Sequence, residues 1–221
     1  MQGNKIGSHR GHYATFLHMT DLAVLLPFLL FSLIMSATPG PNNALVLASG
    51  AHLGVRRTLP LILGIAIGVG LQLAVLGLGL GVVFSALPGL HQFLGVLGLA
   101  YLLLLAWRIA TSGPVRLDAE PSGHLGLLGG AAFQWLNPKA WTLSISAAAA
   151  YIPVENHALN VVLAAVLLAT ISIPCVGVWA VMGSALRRWL ADQHRARVFN
   201  LAMAATLLLA TLPPLYQLFT G

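Results

Sequence analysis

Residues 22–57 read LAVLLPFLLFSLIMSATPGPNNALVLASGAHLGVRR, an apolar segment interrupted midway by PGPNN at residues 39–43. A bilayer core about 30 Å thick is crossed by about 20 helical residues, so this segment is longer than one straight crossing needs. Each proline removes a helical N–H, and the glycine between the two prolines lets the backbone unwind. The sequence therefore predicts two half-helices that meet at a break near mid-depth.

A second long segment, residues 124–155, repeats this arrangement, with Asn-Pro-Lys at residues 137–139 near its midpoint. Backbone groups freed by a break cannot face lipid, and at that depth they are tolerated only where they line a cavity or are buried in protein. The end of one half-helix offers carbonyls suited to an ammonium group, and the start of the next offers amides suited to a carboxylate. A zwitterion would satisfy both ends at once.

Composition determines the class of protein before any motif does. The 221 residues are 58% hydrophobic and only 7% charged, whereas soluble domains carry about 25% charged residues. This excludes an ordinary soluble protein and indicates an integral membrane protein solvated by the lipid bilayer. The net charge of +6 comes from basic residues scattered over short stretches, so no nucleic-acid partner is expected. Cys175 is the only cysteine, and we expect neither a metal nor a cofactor.

The expected fold is all-α, a polytopic membrane protein with six transmembrane helices. Cutting the chain at charges and at Pro/Gly turns places them near residues 22–51, 59–83, 90–107, 125–151, 158–185 and 198–219. A polar tail, residues 1–21, precedes this single transmembrane domain of residues 22–221, and Met19 is an alternative translation start.

The orientation of the helices follows from the basic residues, since cytoplasmic loops carry an excess of Lys and Arg. These residues concentrate in the first, third and fifth loops, at Arg56, Arg57, Arg108, Arg116, Arg187, Arg188, Arg195 and Arg197. We therefore expect the odd loops to be cytoplasmic and both chain ends to lie outside.

The two interrupted segments divide the chain into halves of three helices each. Repeat one covers about residues 22–110, a loop covers 111–124, and repeat two covers about 125–220. Because three is odd, the halves must have opposite orientations in the membrane. Inverted repeats with discontinuous first helices that meet near the midplane are typical of secondary transporters.

The candidate substrate-binding residues lie at the two breaks and on the helices beside them. They are Pro39, Gly40, Pro41, Asn42, Asn43, Gln72, Gln134, Asn137, Pro138 and Lys139. The three asparagines either donate to substrate or cap the half-helices they adjoin. The two glutamines either line a cavity or form interhelical hydrogen bonds.

Lys139 is the only Lys or Arg expected inside a helix span, where a cation costs at least about 2.5 kcal/mol. One role is functional: the ammonium pairs with a substrate carboxylate, or releases its proton and couples transport to protons. The alternative is a structural lysine, held in a salt bridge or by backbone carbonyls.

Small residues in the second span and a proline in the fifth have structural explanations. The small-xxx-small pairs Gly64 with Gly68 and Gly77 with Gly81 predict close helix packing without any ligand. Pro174 is expected to kink the fifth span, as a gate or as static packing.

Several short motifs of the chain resemble those of the lysine-exporter-type (LysE/RhtB) translocators, a family of bacterial amino-acid exporters. The matching stretches are TPGPN at residues 38–42, GVR at 54–56, GLAYL at 98–102, and residues 133–140 with their NPK motif. The resemblance covers about residues 39–139, and the second half after Tyr151 matches no subgroup. Ala106 stands where relatives often have glycine.

The resemblance implies efflux of amino acids or their derivatives across the bacterial inner membrane, driven by the proton gradient. The partners expected are an amino-acid-like small molecule and the lipid bilayer, and a homo-oligomer is left open. The rivals are a metal-cation exporter of related architecture, which would need acidic, Cys or His ligands near the breaks, and a membrane enzyme or scaffold in which Lys139 is structural.

Overall fold

The computed structural model describes residues 18–80, 88–115 and 125–220, and these residues form helices with no strand among them. We label the helices in chain order as α1 (Leu22–Ala37), α2 (Pro41–Leu53), α3 (Val55–Val75), α4 (Pro88–Ala110), α5 (Leu127–Leu136), α6 (Pro138–Tyr151), α7 (His157–Leu186) and α8 (Gln193–Thr220). A π-helical turn, Leu76–Leu80, follows α3, and a short 3-10 turn, Trp189–Ala191, precedes α8.

The first predicted break is present between α1 and α2, whose axes differ in direction by 54°. Thr38 has extended backbone angles (φ −65°, ψ 144°), and Gly40 is fully extended (φ −179°, ψ −178°). Pro41 then begins α2, where its missing N–H costs no hydrogen bond and its fixed φ suits the first helical position. The PGP sequence therefore ends one helix and starts another, as the sequence predicts.

The second predicted break is present between α5 and α6, and it is shorter. Asn137 alone separates the two helices, with an extended backbone (φ −96°, ψ 107°). Pro138 occupies the first position of α6, as Pro41 does in α2. Both half-helices therefore start by the same device, a proline that cannot continue the preceding helix.

One boundary differs from the sequence-based expectation. Arg56 and Arg57 lie in the first turn of α3, because the chain turns at Gly54, two residues before Arg56, where a φ of +76° favours glycine. Helix α7 agrees with the predicted span of residues 158–185 to within one residue at each end, and it contains Pro174. Of the predicted polar tail, residues 1–17 lie outside the described residues, while Met19 is buried and donates its backbone N–H to Asn160 Oδ1 at 3.1 Å.

Glycines let the central helices approach closely. A Cβ atom on Gly64 of α3 would lie 2.0 Å from the carbonyl oxygen of Leu127 in α5. A Cβ atom on Gly68 would lie 2.7 Å from the backbone of the same helix. The packing role predicted for this glycine pair is therefore confirmed; Gly81 of the second pair lies outside the described residues.

The outer faces of the bundle are apolar. Large hydrophobic side chains are exposed along α1, α3 and α7, among them Leu26, Leu30, Ile67, Leu71, Val162 and Val166. By length and composition two helical stretches among the described residues could cross a membrane, Val55–Gly79 and His157–Leu186. A third crossing results if α1 and α2 are counted as one bent span.

The basic loops gather at one end of the bundle. Val115 donates its backbone N–H to the Leu190 carbonyl at 3.0 Å, and Asn200 Nδ2 donates to the Ser112 carbonyl at 2.8 Å. These contacts bring the loop after α4 against the loop between α7 and α8. At the other end, His157 Nε2 lies 2.8 Å from the Gly77 carbonyl oxygen. The start of α7 at His157 therefore lies at the end of the bundle away from the loop that follows Leu186.

Candidate functional site

Lys139 joins the two breaks. It is the second residue of α6, and its side chain extends to the C-terminal end of α1. Its Nζ donates to the Thr38 carbonyl at 2.6 Å, to Thr38 Oγ1 at 2.9 Å and to the Pro39 carbonyl at 3.3 Å. These acceptors match the three hydrogens of an ammonium group, and a helix C-terminus carries the partial negative charge that favours a cation. The contacts are those of a carbonyl-bonded lysine.

Asn43, in the first turn of α2, also donates hydrogen bonds to carbonyl groups at the C-terminal end of α1. Its Nδ2 donates to the Ser36 carbonyl at 3.1 Å and to the Thr38 carbonyl at 2.7 Å. Trp179 of α7 donates its indole N–H to the Ala37 carbonyl at 3.3 Å. The carbonyls of Ser36 and Ala37 at the end of α1, which have no partner within the helix, are therefore hydrogen-bonded to side chains, as is the carbonyl of Thr38.

Asn42 makes the reverse connection, from the start of α2 to the second break. Its Nδ2 donates to Gln134 Oε1 at 3.0 Å, and Gln134 Nε2 donates back to Asn42 Oδ1 at 3.1 Å. Asn137 Nδ2 also donates to Asn42 Oδ1, at 2.9 Å. Asn42 follows Pro41 as Lys139 follows Pro138, so the residue at the same position of each half-helix crosses to the other break.

The other predicted polar residues make structural hydrogen bonds. Asn137 caps α6, because its Oδ1 accepts the backbone N–H of Lys139 at 3.1 Å. Gln72 Nε2 donates to the Gln134 carbonyl at 3.3 Å, and Ser144 Oγ donates to Gln72 Oε1 at 3.5 Å. Both glutamines are fully buried and link α3, α5 and α2, which is the interhelical alternative rather than the cavity-lining one.

A small cavity of about 20 Å³ lies at the junction of the breaks. Its lining residues are Met35, Ser36, Gly40, Asn42, Asn43, Val69, Asn137, Lys139, Ala140, Leu143, Ser172 and Val176. This volume holds about one water molecule, which is too little for an amino acid. Five of the candidate residues line the cavity, namely Gly40, Asn42, Asn43, Asn137 and Lys139, whereas Pro39, Pro41, Pro138, Gln72 and Gln134 do not.

Two serines that sequence reasoning missed also line the cavity. Ser36 Oγ of α1 and Ser172 Oγ of α7 lie 3.3 Å apart, and both side chains are buried. The signal for Ser36 was its spacing of four residues from Ser32 in an apolar helix, which places both on one face. For Ser172 it was the position two residues before Pro174.

The described residues contain no group of three or more His, Cys, Asp or Glu side chains that could hold a metal ion. The metal-cation alternative therefore has no ligand set in this part of the chain. The site instead consists of an ammonium group, side-chain amides, hydroxyls and the ends of interrupted helices.

Apolar helices that break in pairs, with polar side chains meeting between the breaks, are typical of membrane-embedded transporters. The chain belongs to the LysE type translocator family, whose sequence profile matches residues 33–217.

Relatives of known name agree with this family. Proteins named cysteine/O-acetylserine efflux protein are similar to the chain, with 32% identity over 188 residues in Salmonella choleraesuis strain SC-B67, covering 83% of this chain and 93% of the relative. The Klebsiella pneumoniae protein of that name is 33% identical over 167 residues, covering 73% and 82%. The protein from Escherichia coli O139:H28 is 30% identical over 189 residues, covering 84% and 94%. No solved structure matched the chain significantly.

The predicted class is therefore confirmed. The chain is a multi-pass membrane transporter of the amino-acid exporter type, and it is not an enzyme. The family resemblance that the motifs of residues 38–42 and 137–139 indicated is correct, and it extends through the second half of the chain, where sequence reasoning found no match.

Proposed function

We propose that this protein exports small zwitterionic amino acids or their derivatives through the junction of its two helix breaks. The observation that carries the proposal is the meeting of the Lys139 ammonium, the α1 carbonyls and the Asn42 amide at one cavity. Cysteine and O-acetylserine, the compounds in the relatives' names, are the first candidate substrates.

The polar groups at the junction can bind a zwitterion if Lys139 gives up its present hydrogen-bond acceptors to the substrate and pairs with the substrate instead. A substrate ammonium would take the place of Lys139 on the Thr38 and Pro39 carbonyls, which already accept an ammonium group. The released Lys139 would pair with the substrate carboxylate, beside the first-turn amides of α2, to which Gly40 offers no side-chain cap. Each charge would keep a partner throughout, which lowers the cost of moving charge at that depth.

We propose six spans arranged as two inverted three-helix repeats, with α1 and α2 together matching α5 and α6. The proline at the start of α2 and of α6, and the crossing contacts of Asn42 and Lys139, support this pairing. Helix α3 also packs on α7, and α4 packs on α8, so each of these helices contacts its proposed counterpart.

The clustering of the basic loops supports an orientation in which that end of the bundle faces the cytoplasm. The relatives from Salmonella and Escherichia coli support the bacterial inner membrane as the location. We propose that the proton gradient drives export, since Lys139 alone among the described cavity-lining residues has a titratable side chain.

Efflux from intact cells tests this function. Cells loaded with labelled cysteine or O-acetylserine should lose label several-fold faster when they express the protein than when they carry an empty vector. A protonophore should abolish the difference. Efflux equal to that of the vector for every amino acid tried would refute the function.

The Lys139→Ala variant separates the transport role of the lysine from a scaffold role. We expect efflux to fall at least about tenfold, since a lost partner for a buried charge costs more than about 1.4 kcal/mol. Arg57→Ala, which removes an exposed charge, should export normally. If Lys139→Ala inserts and exports as fast as the parent, the lysine is only structural.

A further inference from the structure

Two buried polar atoms, one on α1 and one on α2, have no hydrogen-bond partner among the residues that the structure describes. They are Asn43 Oδ1 and Ser32 Oγ. The Asn43 side chain is 2% exposed, and Ser32 is fully buried. A buried polar atom left without a partner is unfavourable, because it has lost its hydrogen bonds to water. Each of these two atoms is free to form a hydrogen bond with a solute or a water molecule that reaches it.

The orientation of the Asn43 amide is fixed by its surroundings. Its Nδ2 faces the carbonyl oxygens of Ser36 and Thr38, and a flipped amide would place its oxygen against those oxygens. The unpartnered Oδ1 is therefore an acceptor, and its residue lines the cavity.

Ser32 continues the polar surface of Ser36 by one helical turn. Four residues separate them along α1, which places both on one face about 6 Å apart along the axis. A helical serine often bonds the carbonyl four residues before it, but Ser32 Oγ does not. By contrast, Leu33 and Ile34 of the same helix are 51% and 56% exposed and point outward from the bundle.

The polar residues lead from the cavity toward the end of the bundle opposite to the basic loops. Helix α1 starts beside Met19, which bonds Asn160 near the start of α7, and ends at the break. Beyond Ser32 lies Phe28, which is fully buried and packs edge-on against Tyr151, with ring centroids 6.2 Å apart. Leu168 of α7 belongs to the same apolar cluster.

We propose that Asn43 Oδ1, Ser36, Ser172 and Ser32 form the first part of the exit path, and that Phe28 and Tyr151 close it in this conformation. The proposal rests on the proposed export function and adds the route and its selectivity. None of the six side chains is charged, so the path suits a compact solute with no net charge. Substrates with a further uncompensated charge, such as lysine or arginine, are then excluded from it.

Thiol accessibility tests the path, because the chain has a single cysteine that can be removed. In a Cys175→Ser parent, Ser32→Cys is a near-isosteric exchange. N-ethylmaleimide is uncharged and reacts with thiolate, a form that needs water around the sulfur. The matched control is Ile34→Cys, two residues away on the exposed face of α1.

We expect Ser32→Cys to react at least about tenfold faster than Ile34→Cys in exporting cells, since only its thiol meets water. O-acetylserine should slow the reaction, and labelling should stop efflux. A Ser32→Cys protein that exports at the parental rate but reacts no faster than Ile34→Cys would overturn the path while the export function stands. A parent that exports no amino acid would refute the function and the path with it.

A second pair keeps the test decisive if Ser32→Cys does not insert. Ser172→Cys places the thiol at the cavity, and Ile173→Cys, 38% exposed, is its control on α7. Equal reaction rates for this pair in an exporting protein would also overturn the path.

Discussion

At the scale of single residues, the site depends on one side chain that spans two breaks. Lys139 belongs to α6 but satisfies the end of α1, so its position couples segments about a hundred residues apart in the chain. Gly40 makes room for it: a Cβ atom there would lie 2.8 Å from Lys139 Cδ and 3.2 Å from Nζ. The backbone of Gly40 is extended and open to any residue, so the requirement for glycine is one of space.

Gly40→Ala should therefore act first on Lys139, which supplies the three atoms nearest to the added methyl group. The added methyl group is expected to displace the ammonium from the Thr38 and Pro39 carbonyls, which lowers efflux severalfold and unfolding free energy by about 1 kcal/mol. Efflux and thermal melting of the purified protein measure both. Gly113→Ala, with no atom within 4 Å of the new methyl group, serves as the control. Parental efflux in Gly40→Ala would show that the close approach has no role in transport.

At the scale of elements, α7 is held against α2 by glycine contacts. A Cβ atom on Gly183 would lie 2.0 Å from the Leu47 carbonyl oxygen, and one on Gly50 would lie 2.3 Å from that of Ala180. Backbone atoms cannot move aside as the end of a flexible side chain can. A methyl group at either glycine would therefore force α2 and α7 apart. The small residues thus set the distance between the helices that carry the site.

Gly183→Ala should be destabilising, by about 1–3 kcal/mol or more, because it overpacks a backbone contact. Gly177 lies six residues earlier in the same helix, and no described atom outside the glycine's own helical surroundings lies within 4 Å of a Cβ atom there. Gly177→Ala should therefore be neutral or stabilising by up to about 1 kcal/mol through helix propensity. Melting temperatures of the two variants in one detergent give the comparison. Equal melting temperatures would mean that the α2–α7 contact is not tight.

At the scale of the whole molecule, the sequence predicted those features of the fold that depend on neighbouring residues in the chain. A proline cannot donate a helical hydrogen bond, but α7 continues past Pro174, so a proline alone does not predict a break. At residues 39–41 and at Pro138 the proline lies midway in a segment longer than one straight crossing needs, and this combination predicted both breaks. Hydrophobic length also predicted α3 and α7, the two helices among the described residues that are long and apolar enough to cross a membrane.

The sequence could not predict which side chains form hydrogen bonds with each other across the bundle. Asn42 bonds Gln134, 92 positions away, and Ser36 meets Ser172, 136 positions away. Only the packing of the helices across the bundle decides such pairs, and a single sequence does not reveal it. For the same reason the hydrogen-bond partners of Lys139 and of the two glutamines could not be predicted.

Cross-linking in the native membrane tests whether the two breaks meet. In the Cys175→Ser parent, Asn42→Cys and Asn137→Cys place two thiols where the amides now lie 2.9 Å apart, and a short bifunctional thiol reagent can bridge them. We predict that the bridge forms in the inserted protein and is found by mass spectrometry, whereas Asn137→Cys paired with the outward-facing Ile34→Cys gives none. Absence of the first bridge in correctly inserted protein would contradict a shared site at the two breaks.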